Sequence, residues 1–221
     1  MVTTNLDDQQ PDIAVRSGTG TRRSGREAAR RILRSANALL AKSGPARFSM
    51  RNVAASAGLH LANVQYYFPT RDALLEALLQ DIGRQYRQAY ERCLNEVPAD
   101  RTARFEAILN FNLEDISKRA TRRYFLQLWA LLDALDGNSG RRLKAMYAID
   151  IEQLSERIGE LDPHATSAET RRRATLLAAL IEGLMVVQGA HSENEREGLR
   201  LKDEARQLGF AIAMGRHTKV T

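Results

Sequence analysis

Apolar residues recur every three or four positions along most of the 221-residue chain, and nowhere do they alternate one by one. A period near 3.6 places them on one stripe of a helix, whereas a half-buried strand needs a period of two, so the sequence predicts an all-α fold. Ala28, Ile32, Leu33, Ala36, Leu39 and Leu40 trace one stripe. Leu75, Leu78, Leu79, Ile82, Tyr86, Ala89, Tyr90, Cys93 and Val97 trace a longer one. Glycine (14) and proline (5) are too sparse to break these stripes often, and 43% hydrophobic residues suffice for a buried core in one or two domains.

Local punctuation divides the pattern into about nine helices. Residues 1–21 are polar, with Ser17-Gly18-Thr19-Gly20 in a row, and read as a flexible tail. Ser24 with Glu27 three positions on has the form of a capping box, and the helix it opens stops at Gly44-Pro45. Ser49 is placed to cap a short helix over 50–57 that Gly58 ends, and another short helix over 61–67 stops at Phe68-Pro69. Thr70 then caps a long helix over 71–97. Further helices are predicted over 100–117, 121–135, 139–159, 167–189 and 199–214. The breaks fall at Lys118-Arg119, Asp136-Gly137-Asn138, Leu161-Asp162-Pro163 and Ser192-Glu193-Asn194.

Charge is distributed unevenly. The chain carries a formal +6, yet residues 22–71 alone hold ten arginines and lysines against the single acid Glu27, a net +9. A cationic segment beside a near-neutral remainder suits binding to phosphates, since each cation placed on a phosphate releases condensed counterions. Residues 1–21 lack the apolar run of a signal peptide, and the most apolar stretch, 176–187, is shorter than a bilayer span and contains Glu182. With one cysteine, Cys93, no intrachain disulfide is available, so a reducing, cytoplasmic setting is expected.

The most informative segment is Phe48 to Leu75. Ala54, Ala57 and Gly58 are small enough for two helices to meet closely, and Leu59 and Val64 supply an inner face. That leaves His60, Leu61, Ala62, Asn63, Gln65 and Tyr66 mostly outward, on what becomes the second helix of a helix-turn-helix. Short side chains let such a helix sit deep in the major groove, and an amide such as Gln65 pairs bidentately with adenine. Arg51, Tyr66, Tyr67, Thr70 and Arg71 are candidates for phosphate contact. For Tyr67, packing between helices is an equal alternative; Phe68 is assigned to the core.

This segment resembles the DNA-binding head of TetR-family repressors. The match runs over about residues 26–80 and rests on Ser49, Val53-Ala54-Ala55-Ser56-Ala57-Gly58-Leu59, the step from Val64 to Phe68, and Pro69-Thr70-Arg71. The resemblance implies a DNA-binding domain over 22–70 and a ligand-binding and dimerisation domain over 71–221. It also implies a phosphate role for Arg71, where lysine is usual, and contact positions for Gln65 and Tyr66. His60 stands where Ser or Thr commonly caps the recognition helix, Gln65 where an aromatic is frequent, and Tyr67 where histidine is frequent, so the operator sequence is not implied.

The stretch 174–189 resembles the family's penultimate dimer helix and is apolar nearly all round, so it requires partners on every side. Together with 199–214 it is expected to form a four-helix bundle with a second copy. Candidates for an effector pocket are Phe105, Phe111, Phe125, Trp129, Met146, Tyr147 and Met185, with Gln127, Asp133 or Glu182 as polar anchors. The expected partners are a palindromic double-stranded operator, a second copy and a small-molecule effector, with no membrane, cofactor or metal. The four histidines, His60, His164, His191 and His217, are scattered, and no nucleophile motif or glycine-rich phosphate loop occurs, which argues against an enzyme. Charge confined to one segment argues against a sequence-tolerant DNA coater. The function expected is that of a sequence-specific repressor released from its operator by a small-molecule ligand, with a ligand-independent or activating DNA-binding regulator as the alternative.

Overall fold

The computed structural model describes residues 22–134, 139–191 and 195–216; the expected tail and the breaks at 136–138 and 192–194 lie outside them. The described residues form nine α-helices and no strand: α1 (Arg22–Ser43), α2 (Met50–Ala57), α3 (Leu61–Tyr67), α4 (Arg71–Asn95), α5 (Arg101–Ser117), α6 (Arg119–Asp133), α7 (Ser139–Leu161), α8 (Ser167–His191) and α9 (Glu195–Ala213). A 3-10 turn, Pro45–Arg47, links α1 to α2.

Several helix ends follow from adjacent side chains. The Ser49 hydroxyl accepts the Asn52 amide at 3.2 Å, Asp100 accepts from the Ala103 amide at 2.8 Å, and Thr70 accepts from the Ala73 amide at 3.0 Å. At α8 the cap is reciprocal: Thr166 Oγ1 accepts the Glu169 amide while Glu169 Oε2 accepts the Thr166 amide at 2.8 Å. Elsewhere the sequence reading needs correction. Ser24 lies inside α1 and does not precede it, and α4 stops at Asn95, short of Val97, the residue whose helical geometry Pro98 disfavours. The turn from α5 to α6 has neither glycine nor proline; Arg122 closes it by donating to the carbonyls of Ile116 at 3.2 Å and Ser117 at 2.6 Å.

Two compact units result, with boundaries inside α4 at Gly83/Arg84, inside α6 at Arg122/Arg123, and inside α7 at Arg142/Leu143. In the first, α1 buries Ala29, Ile32, Leu33, Ala36 and Leu40, α2 buries Val53, Ala54 and Ala57, and the early turns of α4 bury Leu74, Leu75 and Leu78. Residues of α6 belong to this unit as well: Leu128 and Leu131 are fully buried, and the Tyr124 hydroxyl donates to Asn37 of α1. At the start of α7, Arg142, 8% exposed, pairs with Asp72 at 2.9 Å.

The second unit is built on α5, α8 and α9. Phe105, Ile108 and Leu109 of α5, Leu177 and Ile181 of α8, and Ile212 and Ala213 of α9 are buried. Gly209 allows the close approach of α9, because a Cβ there would lie 2.8 Å from Leu109 Cδ2. Phe210 meets Phe105 edge to face at 5.0 Å. The α7 side chains Leu154 and Ile158 are fully buried too.

Candidate nucleic-acid interface

The turn between α2 and α3 is set by Gly58, whose φ of 61° and ψ of 39° place it in the left-handed region, and its amide bonds back to the carbonyls of Ala54 and Ala55. Leu59 N reaches Ala54 O at 3.0 Å, so the chain leaves α2 with its last carbonyls satisfied. α3 is then held down by Val64 (0% exposed), the only buried residue on it, and by Phe68 (3%) just beyond its end. Fully burying a valine is worth about 1.5–3 kcal/mol, enough to orient a seven-residue helix that has little stability of its own.

With Val64 facing inward, His60, Ala62, Asn63, Gln65 and Tyr66 are exposed, Tyr66 to 65%, and Leu61 and Tyr67 are half-buried. The two tyrosine rings meet edge to face at 5.1 Å. Leu59, assigned to the inner face by sequence, is half-buried. His60 occupies the N-cap of α3 without a side-chain hydrogen bond to the helix. The face it borders carries two amides and one phenol but no charge, so it offers hydrogen-bond donors and acceptors without a formal charge.

The unit that carries α3 also exposes cations. Arg31, Arg34, Lys42, Arg47 and Arg51 are exposed in the same unit. The Thr70 hydroxyl accepts the Ala73 amide and keeps its own hydrogen to donate outward. Arg71 is half-buried and lines a shallow groove with Pro45, Ala46, Phe48, Ser49, Met50, Ala130 and Ala134. Its Nε is buried without a partner there.

The residues expected to line an effector pocket are divided between the units. Phe125, Trp129 and Asp133 lie on the part of α6 that belongs to the first unit, where Asp133 is exposed and the Trp129 Nε1 is buried without an acceptor. Gln127 lies in the same unit, with its Oε1 2.7 Å from where a Gly44 Cβ would stand. In the second unit Phe105 and Met185 are core residues, 0% and 1% exposed. Met146, Phe111 and Tyr147 are half-buried. Phe111 contacts the rings of Tyr86 and Tyr90, and Tyr147 hydrogen-bonds Glu182. Tyr86, Tyr90, Asn112 and Asp150, which sequence reasoning passed over, join this group. Their only signal was a polar side chain inside an apolar run, as at Phe111-Asn112-Leu113 and Ile149-Asp150-Ile151.

Residues 32–78 match the family model for bacterial regulatory proteins of the tetR family. The chain belongs to the TetR family. A relative, the HTH-type transcriptional regulator BetI of Stenotrophomonas maltophilia, is 29% identical over 148 residues, 64% of this chain and 70% of that protein. Two solved structures share the fold. A transcriptional regulator from Pseudomonas aeruginosa PAO1 has a TM-score of 0.67 at 18% identity and covers 87% of this chain and 93% of its own. NalD, the secondary repressor of the MexAB-OprM multidrug efflux pump in Pseudomonas aeruginosa, has a TM-score of 0.55 at 18% identity over 83% of this chain and 98% of its own. As a TetR-family member this chain is a helix-turn-helix, DNA-binding transcriptional regulator. Among the described residues no helix is long and apolar enough to cross a membrane.

Proposed function

We propose that this TetR-family regulator is a homodimeric repressor that holds a palindromic operator through α3 and is released from it by a small molecule bound in the α5, α7 and α8 region. In this reading residues 22–70 supply the DNA contacts, and the chain from Arg71 onward supplies dimerisation and sensing. Gln65 and Asn63 read base edges, with His60, Leu61 and Ala62 against the groove, while Arg51, Tyr66, Tyr67, Thr70 and Arg71 fix register on phosphates. Two copies bring their α3 helices into successive major grooves about 34–36 Å apart.

The observation that carries this reading is that one chain exposes both a polar face on α3 and an apolar face on α8. On α8, Ala174, Leu177, Ala178, Ile181 and Met185 are buried, whereas Leu176 (48%), Val186 (45%) and Val187 (59%) are exposed, with Ala179 and Gly183 between them. Positions 176, 179, 183 and 186 repeat at three and four residues, which is the spacing of a helix-packing seam. On α9, Leu199 (62%) and Leu208 (45%) add to the exposed apolar surface. The apolar seam along α8 favours pairing with another copy of itself. Ligand control is supported by α4, one uninterrupted helix that begins in the DNA-contacting unit and ends in the other. A ligand that favours one arrangement of α4 over another shifts the population of DNA-competent dimers.

The test is selection of protein-bound fragments from genomic DNA followed by sequencing, with sedimentation of the same preparation. An enriched palindrome and a dimer are the expected results. No enrichment over random competitor, or a monomer at working concentration, overturns the reading.

A further inference from the structure

The second unit contains a buried polar cluster that packing alone does not require. Tyr86 and Tyr90 of α4 and Phe111 of α5 meet edge to face, with ring centres 5.4–6.2 Å apart. Around them stand Asn112 and Asp115 of α5, Tyr147 and Asp150 of α7, and Glu182 of α8. Asp115 is well provided for: Tyr86 donates to it at 2.6 Å, Lys118 pairs with it at 3.1 Å, and Thr121 donates at 3.3 Å. Asp150 and Glu182 differ from it, because no Lys or Arg among the described residues pairs with either. Tyr90 is the hydrogen-bond partner of Asp150 and Tyr147 that of Glu182, whose Oε2 is buried with no partner at all. Burial raises the Asp150 carboxyl above its usual range; burial, then the charge of Asp150, pushes Glu182 up to about 7 against the hydrogen bond from Tyr147.

Asn112 Nδ2 donates to the Ile108 carbonyl at 3.0 Å, which fixes its amide and turns Oδ1 toward the Tyr90 hydroxyl at 2.9 Å. The same hydroxyl also meets Asp150 Oδ1. The Tyr90 hydroxyl thus shares one hydrogen between Asn112 and Asp150, so the Asp150 carboxyl receives less than a full hydrogen bond from it. Asp150 and Glu182 are thus two acids in a place where their ionised forms are costly. As whole residues Asp150, Glu182, Tyr86, Phe111 and Tyr147 are nevertheless half-buried and not fully enclosed.

We propose that this cluster is the recognition site for an organic cation, an ammonium or amidinium group on an apolar body, whose charge pairs with the Asp150 and Glu182 carboxyl groups that no Lys or Arg side chain among the described residues meets. The proposal rests on the reading that this unit senses a small molecule and names the chemistry of that molecule. Paired carboxylates attract the charge, while tyrosine and phenylalanine rings accept the apolar body and stabilise a diffuse cation through their faces. A hard metal ion fits poorly, since it demands six or more oxygens and no group of three or more His, Cys, Asp or Glu among the described residues is placed to hold one. Anionic ligands are repelled by the same two carboxylates.

The test uses the full chain, without DNA, in titration calorimetry against benzyltrimethylammonium and benzamidinium, with benzamide and benzoate as neutral and anionic controls. Both cations are expected to bind at least roughly tenfold more tightly than either control. Binding should release protons, read as an apparent enthalpy that changes with the ionisation enthalpy of the buffer. Affinity should rise roughly tenfold from about pH 6 to about pH 8, because ionising Glu182, faced by Tyr86 of α4 and by Tyr147 and Asp150 of α7, is what the cation requires. Glu182→Gln and Asp150→Asn should each weaken cation binding about tenfold or more and abolish part of the proton release. Asn keeps a donor toward Tyr90, so D150N is expected to fold, which circular dichroism checks. Equal binding of benzamide and benzamidinium, no binding of either cation at millimolar concentration, or affinity indifferent to pH and to both substitutions overturns the proposal. Operator release is measured separately. Cations that bind with this signature but leave DNA bound uphold the site and refute ligand release; release by a non-cationic compound with no cation binding does the reverse.

Discussion

Replacing Gly58 by alanine tests whether the turn between α2 and α3 is what positions α3. Gly58 sits at φ 61° and ψ 39°, where an L-residue with a Cβ pays about 1–2 kcal/mol. Alanine also stiffens the unfolded chain, which returns about 0.4–1 kcal/mol. The added Cβ would approach Arg31 Nη2 to 2.9 Å, but that atom ends a long, exposed side chain, so it can swing away at small cost. The net expectation is a loss of about 1 kcal/mol, or a melting point lower by about 2–4 °C for a chain of this length. Gly58→Asn should lose less, since a short polar side chain tolerates the left-handed region. Urea unfolding followed by circular dichroism, with operator binding measured on the same samples, reads both consequences. A midpoint equal to or above the parent protein would refute the argument that this backbone geometry needs glycine.

Three further outcomes are expected. Arg71→Ala should weaken binding to all sequences alike and lower the salt slope by about one, whereas Gln65→Ala should relax preference at one base pair by about 1–3 kcal/mol; competition binding at several salt concentrations separates them. The Glu182 carboxyl titrates near 7 in the folded chain against an ordinary 4.5, so the native state holds its proton more tightly and stability falls as pH rises through that interval. Glu182→Gln should therefore add about 2–3 kcal/mol near pH 8 and nothing near pH 4, and denaturation midpoints that rise equally at both would contradict the buried-acid account. Gly183 faces open space, with no atom within 4 Å of where a Cβ would stand, so Gly183→Leu should leave the monomer fold intact and drive the dimer apart in sedimentation if α8 is the seam.

What could be read from the sequence alone was whatever local chemistry decides. The bounds of α2 and α3 were legible because Ser49, Gly58 and the Phe68-Pro69 step act on backbone groups within about five residues of themselves. The exposed face of α3 followed from the position of Val64, through helical periodicity. Ser24 shows the limit even of local signals, since a capping pattern does not stop a helix from starting earlier. Tertiary structure alone decided that Tyr124 of α6 bonds to Asn37, 87 positions away, and so that part of α6 shares a core with α1. It alone brought Tyr90 to Asp150, 60 positions apart, and left Glu182 beside them without a cation. A cap is satisfied by its neighbours in the chain, whereas a buried acid is defined by whatever distant helices happen to surround it, and no pattern of spacing along one helix records who those neighbours are.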